Sequence, residues 1–287
     1  MKVAILGAGG QLAYDLQRVM PPWEQVALRH ADLDICDHDR VRERLNEIRP
    51  EVVINTAAFH RVDDCEGQVE KAFAVNTFAV RNLAQVCAEL ECTLVHISTD
   101  YVFGGEKRSP YTEEDLPGPL NVYGVSKLAG EYFVRHLCPK HFVVRSSGLY
   151  GVAGSSGKGG NFVETMLRLA REGKRIRVVN DQVLAPTWTK DLAEKVVELL
   201  RSRAYGLYHV ADEGGCSWHE FAGKIFELVG FRPDFAPTTT GAFGAGALRP
   251  AYSVLSPRSL VNIGLEPMPP WPVSLQAYLV EKGHAVL

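Results

Sequence analysis

The opening stretch, MKVAILGAGGQLAYDLQRVM, restricts the fold more than any other segment of the 287-residue chain. An apolar run passes into a glycine turn and then into an amphipathic helical pattern that Pro21 and Pro22 end. That succession reads as a buried strand, a tight turn and a helix. The small residues are Gly7, Gly10 and Ala13. In this setting the first glycine permits the turn, the second lets backbone approach a pyrophosphate, and the small third residue lets helix pack close to strand. The helix N-terminus then offers unpaired N–H groups to phosphates. A βα turn without a ligand uses similar residues, but the N-terminal strand–turn–helix context favours a dinucleotide site.

The alternation continues down the chain. Strands are expected at 25–29, 51–58, 93–99 and 141–147, with helices at 37–50, where Asp37 is placed to cap, at 66–91 and at 121–137. Short apolar strands separated by helices predict an α/β fold with a doubly wound parallel sheet of the Rossmann type. Ligands of such sheets lie at the carboxyl ends of the strands. Those ends are small or polar here: Asn55 to Ala58, Ser98 to Asp100, and Arg145 to Ser147. After the second strand, Arg29 and His30 fall where an adenine ribose would sit, with Asp32 and Asp34 close behind. An arginine suits the 2′-phosphate of NADP and an acid suits the free hydroxyl of NAD. On Arg29, NADPH is the expected cofactor, with NADH the alternative.

Bulk composition excludes several other classes. The chain is 46% hydrophobic and 23% charged, with net charge −3 and its 31 basic residues scattered, so no concentrated basic face exists for nucleic acid. No apolar run approaches membrane-spanning length, and the first segment is too short for a signal peptide, so no membrane partner is expected. Six cysteines without a C-x-x-C pair fit reduced, structural thiols in a cytoplasmic protein. No H-E-x-x-H occurs and His219 in WHEF has no second histidine at ligand spacing, so no metal is expected.

The segment NVYGVSKLAGE places Tyr123 and Lys127 one helical turn apart, where both reach one site. Together with GAGGQLA, DLDICD, VVINTAAFHRVDDCE, ISTDYVFGG and NDQVLAPTWTKDLA, it resembles the dTDP-4-dehydrorhamnose reductase family of the extended short-chain dehydrogenase/reductase superfamily. The resemblance runs from residue 7 to 193, with an echo in RPAYSVLS. It implies reduction of the 4-keto group of dTDP-4-dehydro-L-rhamnose, with Thr99, Tyr123 and Lys127 as the catalytic trio. The chemistry agrees: ketone reduction needs a hydride on carbon and a proton on oxygen. A cation about 4 Å from a phenol, at an effective dielectric of about 20, favours the phenolate by roughly 4 kcal/mol. That is about three pKa units, enough to bring a tyrosine near working pH. By the resemblance Lys127 also holds the nicotinamide ribose, while the Thr99 hydroxyl can orient the ketone oxygen.

The same carry-over assigns Gly7, Gly10, Gln11 and Leu12 to the phosphate turn and Asp37 to the cofactor loop. It sets Ala57 and Ala58 beside the cofactor, and Asp100 and Tyr101 in the sugar pocket. Asn76 reads equally as a solvated helix residue or a cleft contact. Arg249 reads equally as a contact to the substrate diphosphate or a solvated loop charge. Residues 1–147 are expected to form the NAD(P)-binding domain and 148–287 a smaller substrate-binding region, some of whose segments can return to the first. The glycine- and serine-rich stretch 148–162 suggests a flap over a bound nucleotide-sugar. At residue 148 the family commonly carries a tryptophan beside the substrate; here Gly148 stands, and Leu149 or Tyr150 is expected to fill the gap. Alternatives are another nucleotide-linked 4-keto-deoxysugar as substrate, or a non-catalytic NAD(P)-binding subunit, which would need no proton donor. A monomer or homodimer is expected.

Overall fold

A computed structural model describes residues 1–154 and 160–286. Its centre is a six-stranded, wholly parallel sheet: β1 (Lys2–Leu6), β2 (Glu24–Leu28), β3 (Val52–Asn55), β4 (Thr93–Thr99), β5 (His141–Ser146) and β6 (Gly206–His209). The spatial order is β6-β5-β4-β3-β1-β2. The chain winds outward from β1 to β2, then returns past it to β3. Loops leaving β1 and β3 therefore diverge and open a crevice between them.

Strand alternation sends Val3 and Ile5 to one face and Ala4 and Leu6 to the other. The first face packs on helices α1 (Gln11–Val19) and α6 (Thr189–Ser202) through Leu16, Leu192 and Val196. The second packs on α2 (His38–Ile48), α3 (Ala79–Glu89) and α4 (Val122–Leu137) through Leu45, Leu83 and Val134. A separate aromatic core joins α5 (Phe162–Arg171), α7 (Trp218–Leu228) and α8 (Trp271–Glu281) around Tyr150, Phe221 and Tyr278. Residues beyond 147 thus divide. Strand β6 and helix α6 complete the sheet layer, and α5, α7 and α8 build the smaller body.

The stretch 66–91 departs from the single helix its pattern suggests. It is broken into Val62–Gly67, Val69–Phe73, a π-helical turn Ala74–Phe78, and α3. Gln68 leaves the helical region (φ −132°, ψ 54°), and the widened turn carries Asn76 inward. Buried Asn76 accepts from the N–H of Phe59 at 2.9 Å and donates to Phe59 O and Ser126 Oγ, each at 3.0 Å. Asn76 is neither solvated nor a lining residue of the cleft; it clamps the loop after β3 to α4.

Helix α4 is set by several such contacts. Asn121 caps it, accepting from Gly124 N at 2.8 Å and donating to Leu248 O at 2.7 Å. Gly124 and Gly130 lie against the carbonyls of Tyr101 and Asn76, where any side chain would collide. Glu131 then meets Arg145 of β5 in a buried pair with contacts of 2.6, 2.9 and 3.1 Å, and accepts from Ser98 Oγ of β4 at 2.5 Å. Both charged side chains are at most 2% exposed. Removing one member would leave the other charge buried and unpaired. Arg145→Met is expected to cost about 3–5 kcal/mol, and Arg145→Met with Glu131→Leu less than the sum of the two single changes. Urea unfolding of the three variants measures both; additive costs would mean that the pair is not coupled.

Candidate active site

The turn after β1 is built for close approach. Gly7 has φ +78°, and a side chain on it would come within 2.7 Å of the Ala57 backbone nitrogen. Thr56 ties the two loops together, its hydroxyl donating to Leu6 O at 2.8 Å. Gly10 precedes α1 with no side-chain cap, and no acidic residue occupies the first turn. The first amides of α1 therefore remain available to an anion. Gln11 donates to Leu149 O at 3.2 Å, and its buried Oε1 has no partner among the described residues. A cleft of about 750 Å³ opens here, with Gly7, Gly10, Gln11, Leu12, Ala57 and Ala58 on its wall. An uncapped helix end, a cradle only glycine allows and an orphaned amide oxygen suit a dinucleotide's phosphates.

At the ribose end the wall is made by His30, Asp34 and Ile35. Arg29 does not line the cleft: its side chain is exposed, and its backbone N–H donates to Asp32 at 2.9 Å. Asp37 is likewise outside the wall and serves α2 as its N-cap, accepting from Arg40 N at 3.0 Å. Thr99, Tyr123 and Lys127 do converge on the cleft, Thr99 from the end of β4 and the other two from adjacent turns of α4.

Their electrostatics differ from a simple phenol–ammonium pair. Lys127 turns its amine down toward the sheet, to Ile97 O at 2.6 Å and His96 Nε2 at 3.3 Å. Burial lowers its pKa to about 8, against an upward pull from Glu131. Burial raises the pKa of the Tyr123 phenol, and the hydroxyl that opposes this shift is that of Thr99. Thr99 Oγ1 itself donates to Asp100 Oδ1 at 3.1 Å and accepts from Tyr101 N at 3.2 Å. Buried Asp100 also accepts from Ser147 and Ser253 at 2.9 and 2.6 Å. Its pKa is pushed up to about 6, burial outweighing its three hydroxyl donors.

Tyr101 leads into a second cavity of about 920 Å³, which shares Val62, Tyr101, Phe162 and Trp218 with the first. Arg61, Arg177, Arg249 and Phe243 also line it. Arg249 is not a loop charge in open water: it pairs with Asp63 at 2.7 and 3.2 Å and donates to Ala247 O at 3.0 Å. Gly148, on the wall of the first cavity, has φ +56°, and a side chain there would come within 2.7 Å of Leu184 and 3.0 Å of Pro186 Cα. Leu149 joins that wall, whereas Tyr150 is fully buried against Phe221 and Tyr278 and does not. Of the stretch 148–162, residues 155–159 with Lys158 lie outside the described residues.

Three contributors, Phe162, Trp218 and His96, escape a reading of motifs. Phe162 and Trp218 supply the aromatic wall, and their only sequence signal is position at a helix start, Trp218 after the capping box of Ser217 and Glu220. Buried His96 and Asn55 stand behind Lys127. A histidine inside the apolar run TLVHIST was the visible sign of the first.

Comparison with known proteins agrees with this geometry. A family model described as the RmlD substrate binding domain matches residues 1–283. The chain is similar to the spore coat polysaccharide biosynthesis protein SpsK of Bacillus subtilis (strain 168), with 41% identity over 286 residues and 99% of each chain covered. It is also similar to a dTDP-4-keto-6-deoxy-D-glucose reductase of Streptomyces niveus, 38% identical, with 94% of each chain covered. Among solved structures, it is similar to the dTDP-4-dehydrorhamnose reductase from Bacillus anthracis str. Ames in complex with NADP. That match has TM-score 0.93 and 40% identity, and covers 98% of this chain and 99% of the other. With nearly its whole length matched and its glycine turn, Tyr-x-x-x-Lys helix and double cavity in place, the chain belongs to the dTDP-4-dehydrorhamnose reductase (RmlD) family of extended short-chain dehydrogenase/reductases.

Proposed function

We propose that the protein is an NADPH-dependent reductase of a nucleotide-linked 4-keto sugar, and that its substrate is dTDP-4-dehydro-L-rhamnose, reduced to dTDP-L-rhamnose. The observation that carries this reading is the convergence of Thr99, Tyr123 and Lys127 on a cleft that joins a phosphate cradle to a second, arginine-bearing cavity. The relative solved with NADP and those named as dTDP-sugar reductases support it.

The first amides of α1 and Gln11 would hold the cofactor phosphates, with Ala57 and Ala58 leaving room beside them. When bound, the reduced nicotinamide supplies the hydride that the sugar's C4 receives. Tyr123 gives the proton to O4. Its burial keeps the phenol protonated until the developing negative charge on O4 draws the proton off. The Thr99 hydroxyl, shared with Asp100, orients that oxygen. Lys127 sets the charge behind the phenol. In the second cavity Arg177 and Arg249 suit a diphosphate, and Trp218 and Phe243 offer ring faces to a base or sugar. Arg249 brings less than a full charge, because Asp63 already neutralises part of it. Gly148 favours one second reading, in which the space left by the absent tryptophan takes a different dTDP-linked 4-keto-6-deoxy sugar.

Four measurements test the reading. Tyr123→Phe is expected to lower kcat by about 10²–10⁴-fold while leaving NADPH affinity within a few fold. Near-normal turnover, followed as loss of NADPH absorbance with the keto-sugar, would remove Tyr123 as the acid. Since Asp34 and not Arg29 lines the ribose end, Asp34→Asn should raise the NADPH:NADH ratio of kcat/KM by about 5–10-fold, roughly 1–1.4 kcal/mol for losing one like charge near a phosphate. An unchanged ratio would place that carboxylate away from the cofactor. Trp218→Ala should raise KM for the sugar nucleotide by about 2–10-fold, the worth of an aromatic wall. Gly148→Trp, forced into a left-handed backbone, should cost about 1–2 kcal/mol of stability and gain no affinity. Tighter binding by Gly148→Trp, or brisk turnover of a different 4-keto sugar alone, would favour the second reading.

A further inference from the structure

A group of buried polar atoms lies away from the cleft, where the sheet layer meets the smaller body. Asp191 stands in the first turn of α6, Asp212 follows β6, and Ser274 belongs to α8. Asp212 and Ser274 are each 1% exposed, and the Ser274 hydroxyl faces both carboxyls. Yet Oγ of Ser274, Oδ1 of Asp212 and Oδ2 of Asp191 have no hydrogen-bond partner among the described residues. The other oxygen of Asp212 accepts from the backbone N–H of Trp188 at 3.0 Å. Trp188 Nε1 and the Tyr150 hydroxyl, also unpartnered in this region, are bonded to neither carboxyl. Buried polar atoms left unmatched are costly, so neighbouring ones are expected to satisfy one another.

Counting protons shows how. With both carboxyls ionised, the two carboxylate oxygens compete for the single proton of Ser274, and one is left buried, charged and unmatched. One further proton completes the set: Oδ1–H of Asp212 donates to Ser274 Oγ, and Ser274 donates to Oδ2 of Asp191. Two features decide which carboxyl carries it. Asp191 lies at a helix N-terminus, whose free N–H groups favour a carboxylate. Asp212 is the deeper, and the groups acting on it are the Trp188 N–H, the Ser274 hydroxyl and the Asp191 carboxyl, with no cation among them.

We infer that Asp212 is a proton-binding site, held as a neutral carboxylic acid at neutral pH, and that it joins α8 to the sheet layer through Ser274 and Asp191. Burial pushes the pKa of both carboxyls up, furthest for Asp212. The cations nearby are engaged elsewhere: Lys190 of α6 and Arg18 of α1 each bind Glu281 of α8 at 2.7 Å. Asp15 of α1 accepts from Thr189 at 2.5 Å, and Glu194 of α6 adds only a like charge. The phenols of Tyr150 and Tyr278 and the Cys216 thiol, all raised by burial, are neutral. The folded protein therefore keeps a proton that the unfolded chain releases above the ordinary carboxylate range. The stability this contributes is complete below that range and is lost as pH rises through the folded pKa.

The experiment needs neither cofactor nor substrate. Infrared spectra of the intact protein at neutral pH, labelled with ¹³C-carboxyl aspartate, are compared between the unmutated chain and Asp212→Asn. The expected difference is loss of a carboxylic-acid C=O band in the variant; loss of carboxylate bands alone, or no loss, overturns the inference. Asparagine can accept from Trp188 and donate to Ser274 as the neutral acid does, so the variant is expected to melt no lower than the unmutated protein. A clearly lower Tm, or failure to fold, overturns it. Between about pH 5 and 9 the unmutated protein should lose Tm faster with rising pH than Asp212→Asn, because it releases about one more proton on unfolding. Parallel curves overturn the proton site. Ser274→Ala removes the acceptor of the acid proton and should move the acid band to higher frequency; an unmoved band overturns the bridge.

Discussion

The buried pair between Glu131 and Arg145 is the contact on which the rest of the arrangement depends. Through Ser98 it fastens one helix to two neighbouring strands, and these elements carry Thr99, Tyr123 and Lys127, the proposed catalytic set. Tyr123 and Lys127 lie on the helix, Thr99 and His96 on β4, and Arg145 itself on β5. A surface pair could not serve, since exposed ion pairs contribute little and allow the geometry to drift. Burial makes the pair demanding: it tolerates one placement of α4, and Gly124 and Gly130 let the helix come near enough to satisfy it.

Much of the architecture could be read from local pattern, because local pattern is what places it. Apolar runs that alternate with helical segments specify a parallel sheet, and Asp37 stands at its cap where a capping residue must stand. The spacing of Tyr123 and Lys127 likewise puts both on one cleft. The misreadings share a cause, in that each depends on a partner far along the chain. Asp63 meets Arg249, Phe59 pulls Asn76 inward, and no helical periodicity reveals either. The direction of the Lys127 amine belongs to this group, since it turns to the Ile97 carbonyl and His96 on another element. Gly148 belongs to it as well. Its left-handed backbone shows that this position is shaped for glycine, and not merely lacking an aromatic ring.

The two joined cavities divide the work between the two halves of the chain. The groups proposed to act on the reacting carbonyl come from the sheet layer and its helix. The aromatic and cationic groups suited to a nucleotide come chiefly from loops and helices beyond residue 148. A fold of this kind keeps its chemistry on rigid elements and lets the outer wall vary, which suits a family whose members are named for different dTDP-sugars.

The last strand to enter the sheet, β6, pairs parallel to β5 although about sixty residues, including α5 and α6, intervene between them in sequence. Until the ribosome has delivered His209, β5 is an open edge with its hydrogen-bonding groups exposed and Arg145 at its margin lacks its cover. Unpaired edges of apolar strands invite association with other chains. Closing the sheet over so long a connection is also slow relative to local folding. The newly made N-terminal half, with the edge of β5 still open, is therefore the stage at which this chain is most exposed to association with other chains.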